Sequence, residues 1–154
     1  MSSFKPIAQN RKARFDYEIL EVFEAGLVLT GTEIKSIREG RVNLSQSYAK
    51  PDSGEIWLHN THIAEYSHSS RNILDLTDPT RPRKLLLHKS EIRKLTTEVS
   101  QKGQTIVPIK LYFKNQLVKV QLGLARGRKR FDKRRVSIER QREKDARIAI
   151  KRLL

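Results

Sequence analysis

The chain has 154 residues, one domain by length, and carries 32 Lys and Arg against 17 Asp and Glu, a formal net charge of +15. Only 37% of its residues are hydrophobic and 6% aromatic, enough for one compact core with part of the chain outside it. The lack of Cys excludes disulfides, zinc ribbons, iron–sulfur clusters and thiol catalysis, and apolar runs as short as Leu85-Leu86-Leu87 span no membrane. A charge of this size predicts a polyanionic partner, nucleic acid before an acidic membrane surface.

Residues 1–6 have no apolar signal core, so a cytoplasmic protein is expected. Next comes a basic segment, Asn10-Arg11-Lys12-Ala13-Arg14. It reads either as a solvated arm or as a phosphate contact, with Arg11, Lys12 and Arg14 on the backbone and Asn10 bonding a base or ribose. Alternation over residues 17–23, then Leu27-Val28-Leu29 after Glu24-Ala25-Gly26, predicts a hairpin turning at Gly26 with positive φ. A helix is expected over 32–39, capped by Thr32, with Ile34 and Ile37 on one face and Gly40 ending it.

Ile56-Trp57-Leu58 reads as a strand entered through the turn Pro51-Asp52-Ser53-Gly54. The Pro-stiffened loop Asp78-Pro79-Thr80-Arg81-Pro82-Arg83-Lys84 carries Arg81, Arg83 and Lys84 into an apolar strand, and reads either as a surface loop with ordinary basic residues or as a stiff presentation of charge to rigid RNA. On alternation Leu86 faces away from Leu85 and Leu87. Ile92, Leu95 and Val99 mark a helix over 89–99, with Ser90 as its cap and Gly103 closing it. Residues 106–113 and 117–124 form a second predicted hairpin through Lys114-Asn115-Gln116, with Pro108 at an edge or bulge. Short strands without a βαβ rhythm predict a mainly β, α+β fold, a small antiparallel barrel with inserted helices.

The body, residues 1–125, holds 19 cations and 13 anions, a net of +6; residues 126–154 hold 13 and 4, a net of +9. These last residues read as a basic tail, disordered as a free peptide in water and helical once polyanionic surroundings neutralise it. Ala146, Ala149, Ile150 and Leu153 share one helical face, and Glu143 stands four residues before Arg147. No catalytic constellation stands out. The glycines near Arg126 lack P-loop spacing, Ser67-His68-Ser69 is no triad, and His59 and His62 point to opposite strand faces, so neither cofactor nor metal is expected. A binding protein is expected, not an enzyme.

In order along the chain stand Asn10-Arg11-Lys12-Ala13-Arg14 through Phe23-Glu24-Ala25-Gly26, Gly31-Thr32-Glu33-Ile34-Lys35-Ser36-Ile37-Arg38, and Asn43-Leu44 with Ser47-Tyr48. Asp78-Pro79-Thr80-Arg81-Pro82-Arg83-Lys84-Leu85-Leu86-Leu87, Leu122-Gly123-Leu124-Ala125-Arg126-Gly127 and Asp132-Lys133-Arg134 follow. Together they resemble the SsrA-binding protein family (small protein B), over nearly the whole chain. Gln46, where the family commonly has an acidic residue, and the stretch 66–76 depart from its pattern.

The resemblance implies an oligonucleotide-binding-type β-barrel that binds the tRNA-like domain of transfer-messenger RNA. It implies delivery of that RNA to ribosomes stalled on messages without a stop codon, with the tail entering the decoding centre and the empty mRNA channel. It also implies RNA contacts at Asn10, Glu24 and Leu86. In the tail it implies ribosome contacts at Phe131, Asp132, Lys133, Arg134 and Ile148, with Phe131 stacking on an rRNA base. Glu24 is the odd member, since a carboxylate near RNA helps only by accepting hydrogen bonds from base amino groups or ribose hydroxyls. The free protein is expected to be a monomer.

Overall fold

The structure, a computed structural model, describes residues 5–66, 78–128 and 130–153. The expectations for 67–77, among them Ser67-His68-Ser69, lie outside the described residues, as do the side chains of Phe131, Asp132 and Lys133. In chain order the elements are β1 (Pro6–Gln9), α1 (Arg11–Asp16), β2 (Tyr17–Leu27), α2 (Gly31–Arg38), β3 (Val42–Asn43) and β4 (Tyr48–Asp52). Then come β5 (Glu55–His59), β6 (His62–Ile63), β7 (Arg83–Leu86), α3 (Lys89–Lys102), β8 (Thr105–Lys114), β9 (Leu117–Gly127) and α4 (Arg130–Leu153).

Seven strands form one antiparallel sheet in the order β1-β8-β4-β5-β7-β2-β9, and pairing of β8 with β9 turns it into a near-closed ring. β3 and β6 make a separate ribbon. Alternation decides which side chains fill the ring. From β9, Val118, Val120, Leu122 and Leu124 point inward to meet Phe23, Ala25, Ile56, Leu58, Leu85, Ile106 and Leu111. Ile37 of α2 and Leu95 of α3 join this core. A smaller apolar cluster lies outside the ring, where Ala13 of α1 packs on Val107 and Ala125 beside Tyr17 and Ile19.

The hairpin expected at Gly26 is not there. β2 is continuous for 11 residues, because β9 pairs with it from Tyr17 through Gly26 and that ladder overrides the local turn preference. Gly26 serves a close approach instead: a Cβ there would stand 3.3 Å from Cβ of Leu86. The cap of α2 is Thr30, not Thr32. Its hydroxyl accepts from the Glu33 backbone N–H at 3.3 Å while Glu33 Oε1 accepts from the Thr30 N–H at 2.9 Å, a reciprocal box.

α3 runs on to Lys102, closed by Gly103 in the left-handed region at φ 64°. Its cap position is His88 instead of Ser90, with Glu91 accepting from the His88 N–H at 3.1 Å. The second hairpin forms as expected, turning at Asn115 and Gln116 with φ of 50° and 66°. Pro108 sits at a bulge, where the register with β9 shifts between Pro108 and Lys110.

β9 continues to Gly127, paired with Tyr17, two residues beyond the expected edge of the body. The tail that follows, expected to be helical only once its charge is neutralised, is a 24-residue helix in the protein itself. It contains neither Gly nor Pro and is rich in Arg, Lys, Glu, Ala and Ile, most of them good helix formers.

Candidate nucleic-acid interface

Asn10 builds the first part of the interface from beneath. Its Oδ1 accepts the Ala13 N–H at 3.2 Å and so caps α1, while Nδ2 donates to the carbonyls of Leu44 at 3.1 Å and Pro108 at 3.0 Å. Both amide hydrogens are consumed and the residue is buried, so within the protein Asn10 anchors the helix that carries Arg11, Lys12 and Arg14. With Ala13 held down, Arg11, Lys12 and Arg14 are exposed, on a short helix and not on a solvated arm. A cleft of about 570 Å³ opens beside them, lined by Lys5, Gln9, Arg11, Arg14 and Lys110 above Asn10.

β8 extends this surface outward. Leu111 points into the ring, so Lys110, Tyr112 and Lys114 lie on its outer face. Across β9, Lys119 stands opposite Tyr112 on one side and Gly26 on the other, and Gln121 stands opposite Glu24. Leu86 of β7 pairs with Gly26 and is 52% exposed, as its alternation with buried Leu85 predicts. Leu86, Glu24, Lys119, Lys114 and Lys110, with the buried Tyr112 ring beneath them, thus form one surface running from β7 into the cleft.

Glu24 is already engaged within the protein. The Tyr112 hydroxyl donates to its Oε2, and Lys114 Nζ donates to its Oε1 at 3.1 Å. The Tyr112 hydrogen bond, with lesser help from Lys114 and Lys119, outweighs desolvation and holds the Glu24 carboxyl below its ordinary range. Burial first, and Glu24 second, push the Tyr112 phenol well up.

Carboxylates also occupy several other cations. Glu18 pairs with Arg126 at 2.5 Å, Glu21 with Lys94 at 2.7 Å and Glu55 with Lys84 at 3.5 Å. Among the described residues, no carboxylate lies within ion-pair distance of Lys5, Arg11, Lys12, Arg14, Lys110 or Lys119. The cleft and the β8–β9 face therefore keep charge available for an outside partner.

The Pro-rich loop behaves otherwise than expected. Arg83 is completely buried, so its side chain offers nothing to RNA. Its guanidinium meets Glu33 Oε2 at 2.6 and 2.7 Å and donates to the carbonyls of Thr61 at 2.7 Å and Pro79 at 3.0 Å. Arg81, half-buried, holds the same carboxylate at 2.5 Å. Burial raises the Glu33 carboxyl, but the bonds from Arg81, Thr30 and Arg83 together outweigh it and leave it below its usual range. These two arginines fasten the loop to α2, and Lys84, half-exposed like Arg81, pairs with Glu55 instead.

At the far end, the Arg128 N–H donates to the Asp16 carbonyl at 2.8 Å and its Nε to the Tyr17 carbonyl at 3.3 Å, which roots the tail at the end of α1. Along α4 every described side chain from Arg134 onward is exposed. Ile148 lies two residues from Ala146 and so points away from the Ala146-Ala149-Ile150-Leu153 stripe, among polar neighbours.

Reading the sequence alone misses Lys5, Lys110, Tyr112, Lys114 and Lys119. The period-two spacing of 110, 112 and 114 does place them on one face, but only closure of the ring shows which face is outside. No group of three or more His, Asp or Glu that could hold a metal ion, and no helix long and apolar enough to cross a membrane, occurs among the described residues.

The family model described as SmpB protein matches residues 7–152. A protein named SsrA-binding protein from Thermosynechococcus vestitus is 56% identical over 149 residues, covering 97% of each chain. One of the same name from Shouchella clausii is 53% identical over 150 residues, 97% of this chain and 92% of that one. A solved structure described as "tmRNA-SmpB: a journey to the center of the bacterial ribosome" superimposes with a TM-score of 0.66 at 51% identity, over 82% of this chain and 87% of the other. A barrel, a cationic outer face and a basic helix in this order, matched over nearly the full length, place the chain in the SmpB protein family.

Proposed function

We propose that this chain is an RNA-binding adaptor of trans-translation, a cytoplasmic bacterial protein that binds the tRNA-like domain of transfer-messenger RNA and accompanies it to stalled ribosomes. Family membership across residues 7–152 carries this reading. The ring, read as an oligonucleotide-binding-type barrel, presents RNA to its outer face and not to its filled interior. Arg11, Arg14, Lys5 and Lys110 take backbone phosphates in the cleft, and Lys12 takes one beside it. Leu86 supplies apolar contact to an exposed base or ribose, and Lys84 flanks it at lower weight.

The helix α4 is the second RNA-directed surface. Residues 130–153 hold ten cations and four anions, and with no body contacts along most of its length the helix is available to enter a channel walled by rRNA. Phe131, Asp132, Lys133 and Arg134 act near the decoding centre, and Ile148 further along the channel. The protein needs no catalytic step in this scheme, since selection of the RNA and of the empty channel are both binding events.

Binding of the purified chain to transfer-messenger RNA and to bulk tRNA across a salt series tests the reading. A preference for transfer-messenger RNA that survives physiological salt supports it. Equal, steeply salt-dependent binding to both would replace it with a general RNA chaperone, because phosphate contacts carry no sequence information.

A further inference from the structure

We infer that Glu24 acts on RNA indirectly, as a positioning residue that, with Tyr112, holds Lys114 and Lys110 in place on the outer face of β8. A surface carboxylate beside a polyanion is unfavourable by itself, so its presence in the middle of a basic face needs a reason. Its two oxygens are both engaged, one by the Tyr112 hydroxyl and one by Lys114 Nζ at 3.1 Å. The pinned Tyr112 ring in turn lies under Lys110, whose Nζ is 5.7 Å from the ring centroid. Lys110 lines the cleft that also holds Arg11 and Arg14. One carboxylate therefore orders Lys114 directly and Lys110 through an aromatic plate.

The energetic logic is preorganisation. A lysine side chain loses rotamer freedom when it settles on a phosphate. A lysine already aligned has lost part of that freedom before RNA arrives. Cation–π attraction of Lys110 to Tyr112 restrains it in the same way while leaving its charge unneutralised. Tyr112 belongs to this device because its ring is buried and its hydroxyl is held, so it cannot swing aside.

The inference rests on the RNA-binding reading above, and the test separates the two. Affinity for transfer-messenger RNA and its dependence on salt are measured for the wild-type chain, Glu24→Gln, Tyr112→Phe, and each of these in a Lys110→Ala/Lys114→Ala background. Expected is a loss of about tenfold for Glu24→Gln, although an anion has been removed, with a salt slope shallower by about one phosphate contact. Tyr112→Phe should give a smaller loss of the same kind. Neither change should add anything once both lysines are gone. In Glu24→Gln the Tyr112 phenol, followed by its ultraviolet titration, should ionise at lower pH while the melting temperature stays within a few degrees.

An unchanged slope with an equal loss in the lysine-free background would mean that Glu24 touches the RNA itself, and would overturn the inference. Tighter binding by Glu24→Gln would overturn it too, since the carboxylate would then be a plain repulsion. If the wild-type chain shows no preference for transfer-messenger RNA, it is the functional reading that fails.

Discussion

The barrel and the tail are stabilised by different means although both carry excess positive charge. In the barrel, side chains such as Ile56, Leu58, Leu85, Leu111 and Leu122 have no exposed surface, and buried polar groups such as Asn10 and Arg83 are fully partnered. In α4 every described side chain from Arg134 onward is exposed, so burial contributes little there. Its helix depends on intrinsic propensity and on local pairs such as Gln141 Nε2 to Asp145 Oδ1 at 3.0 Å. The cationic outer face is built on a packed core, whereas α4 is left unpacked.

Cutting between the two regions gives the largest expected effect. A chain ending at Arg128 should bind transfer-messenger RNA within about threefold of the full protein at physiological salt, where unscreened attraction by the missing cations reaches only about 8 Å. Peptide tagging of stalled chains should be abolished. Normal tagging by the truncated chain would break the division of labour.

Next in size is Glu33→Gln, which leaves Arg83 buried without its carboxylate. A loss of about 3–5 kcal/mol is expected in denaturant unfolding of the body, with no change in the helicity of α4. The pH dependence has a definite sign. Because the Glu33 carboxyl is lowered in the folded state, its contribution is complete above the unfolded carboxylate range and is lost as pH falls through the folded value. The wild-type body should therefore lose more stability on acidification than the Gln variant does. Equal acid profiles would remove Glu33 from the account.

Gly123→Ala probes packing on the outside of the ring. A Cβ there would approach Ile109 Cδ1 to 2.9 Å and Ile19 Cδ1 to 3.1 Å, so about 1–3 kcal/mol of destabilisation is expected. Ile109→Val in the same chain should recover part of it, and no recovery would mean that Ile19 sets the cost. The smallest effect is on the tail alone. An isolated peptide of residues 129–154 should gain helical circular dichroism when a polyanion such as heparin is added, and insensitivity to the polyanion would mean that charge repulsion does not limit the helix.

Much of the barrel is legible in the sequence because two-residue alternation survives any tertiary arrangement. Residues 106–124 show this best: the hairpin, its turn and the Pro108 bulge are all where the pattern puts them. Glu24-Ala25-Gly26 misleads because a glycine with polar neighbours is locally a turn, and only pairing with β9 keeps β2 extended. The arginines at 81 and 83 mislead for a related reason. Sequence reports their charge but not that Glu33, some fifty residues earlier, consumes it. That the amide of Asn10 is held by the carbonyls of Leu44 and Pro108, residues far along the chain, is likewise invisible in the sequence.

By itself the sequence determined that the chain is basic and cysteine-free, that antiparallel strands and helices share it, that its last residues carry more than half of the net charge, and that it resembles one RNA-binding family. These are properties of composition, periodicity and order, which do not depend on how the chain closes. The mainly β balance it suggested gives way to a mixed α+β fold once the 24-residue α4 is counted. The tertiary structure alone decided which cations face outward unpaired, because ion pairing depends on distances between residues far apart in the chain. Lys5, Arg11, Arg14 and Lys110 meet at one cleft, Arg81 and Arg83 are spent on Glu33, and Glu24 is turned from an apparent obstacle into a support.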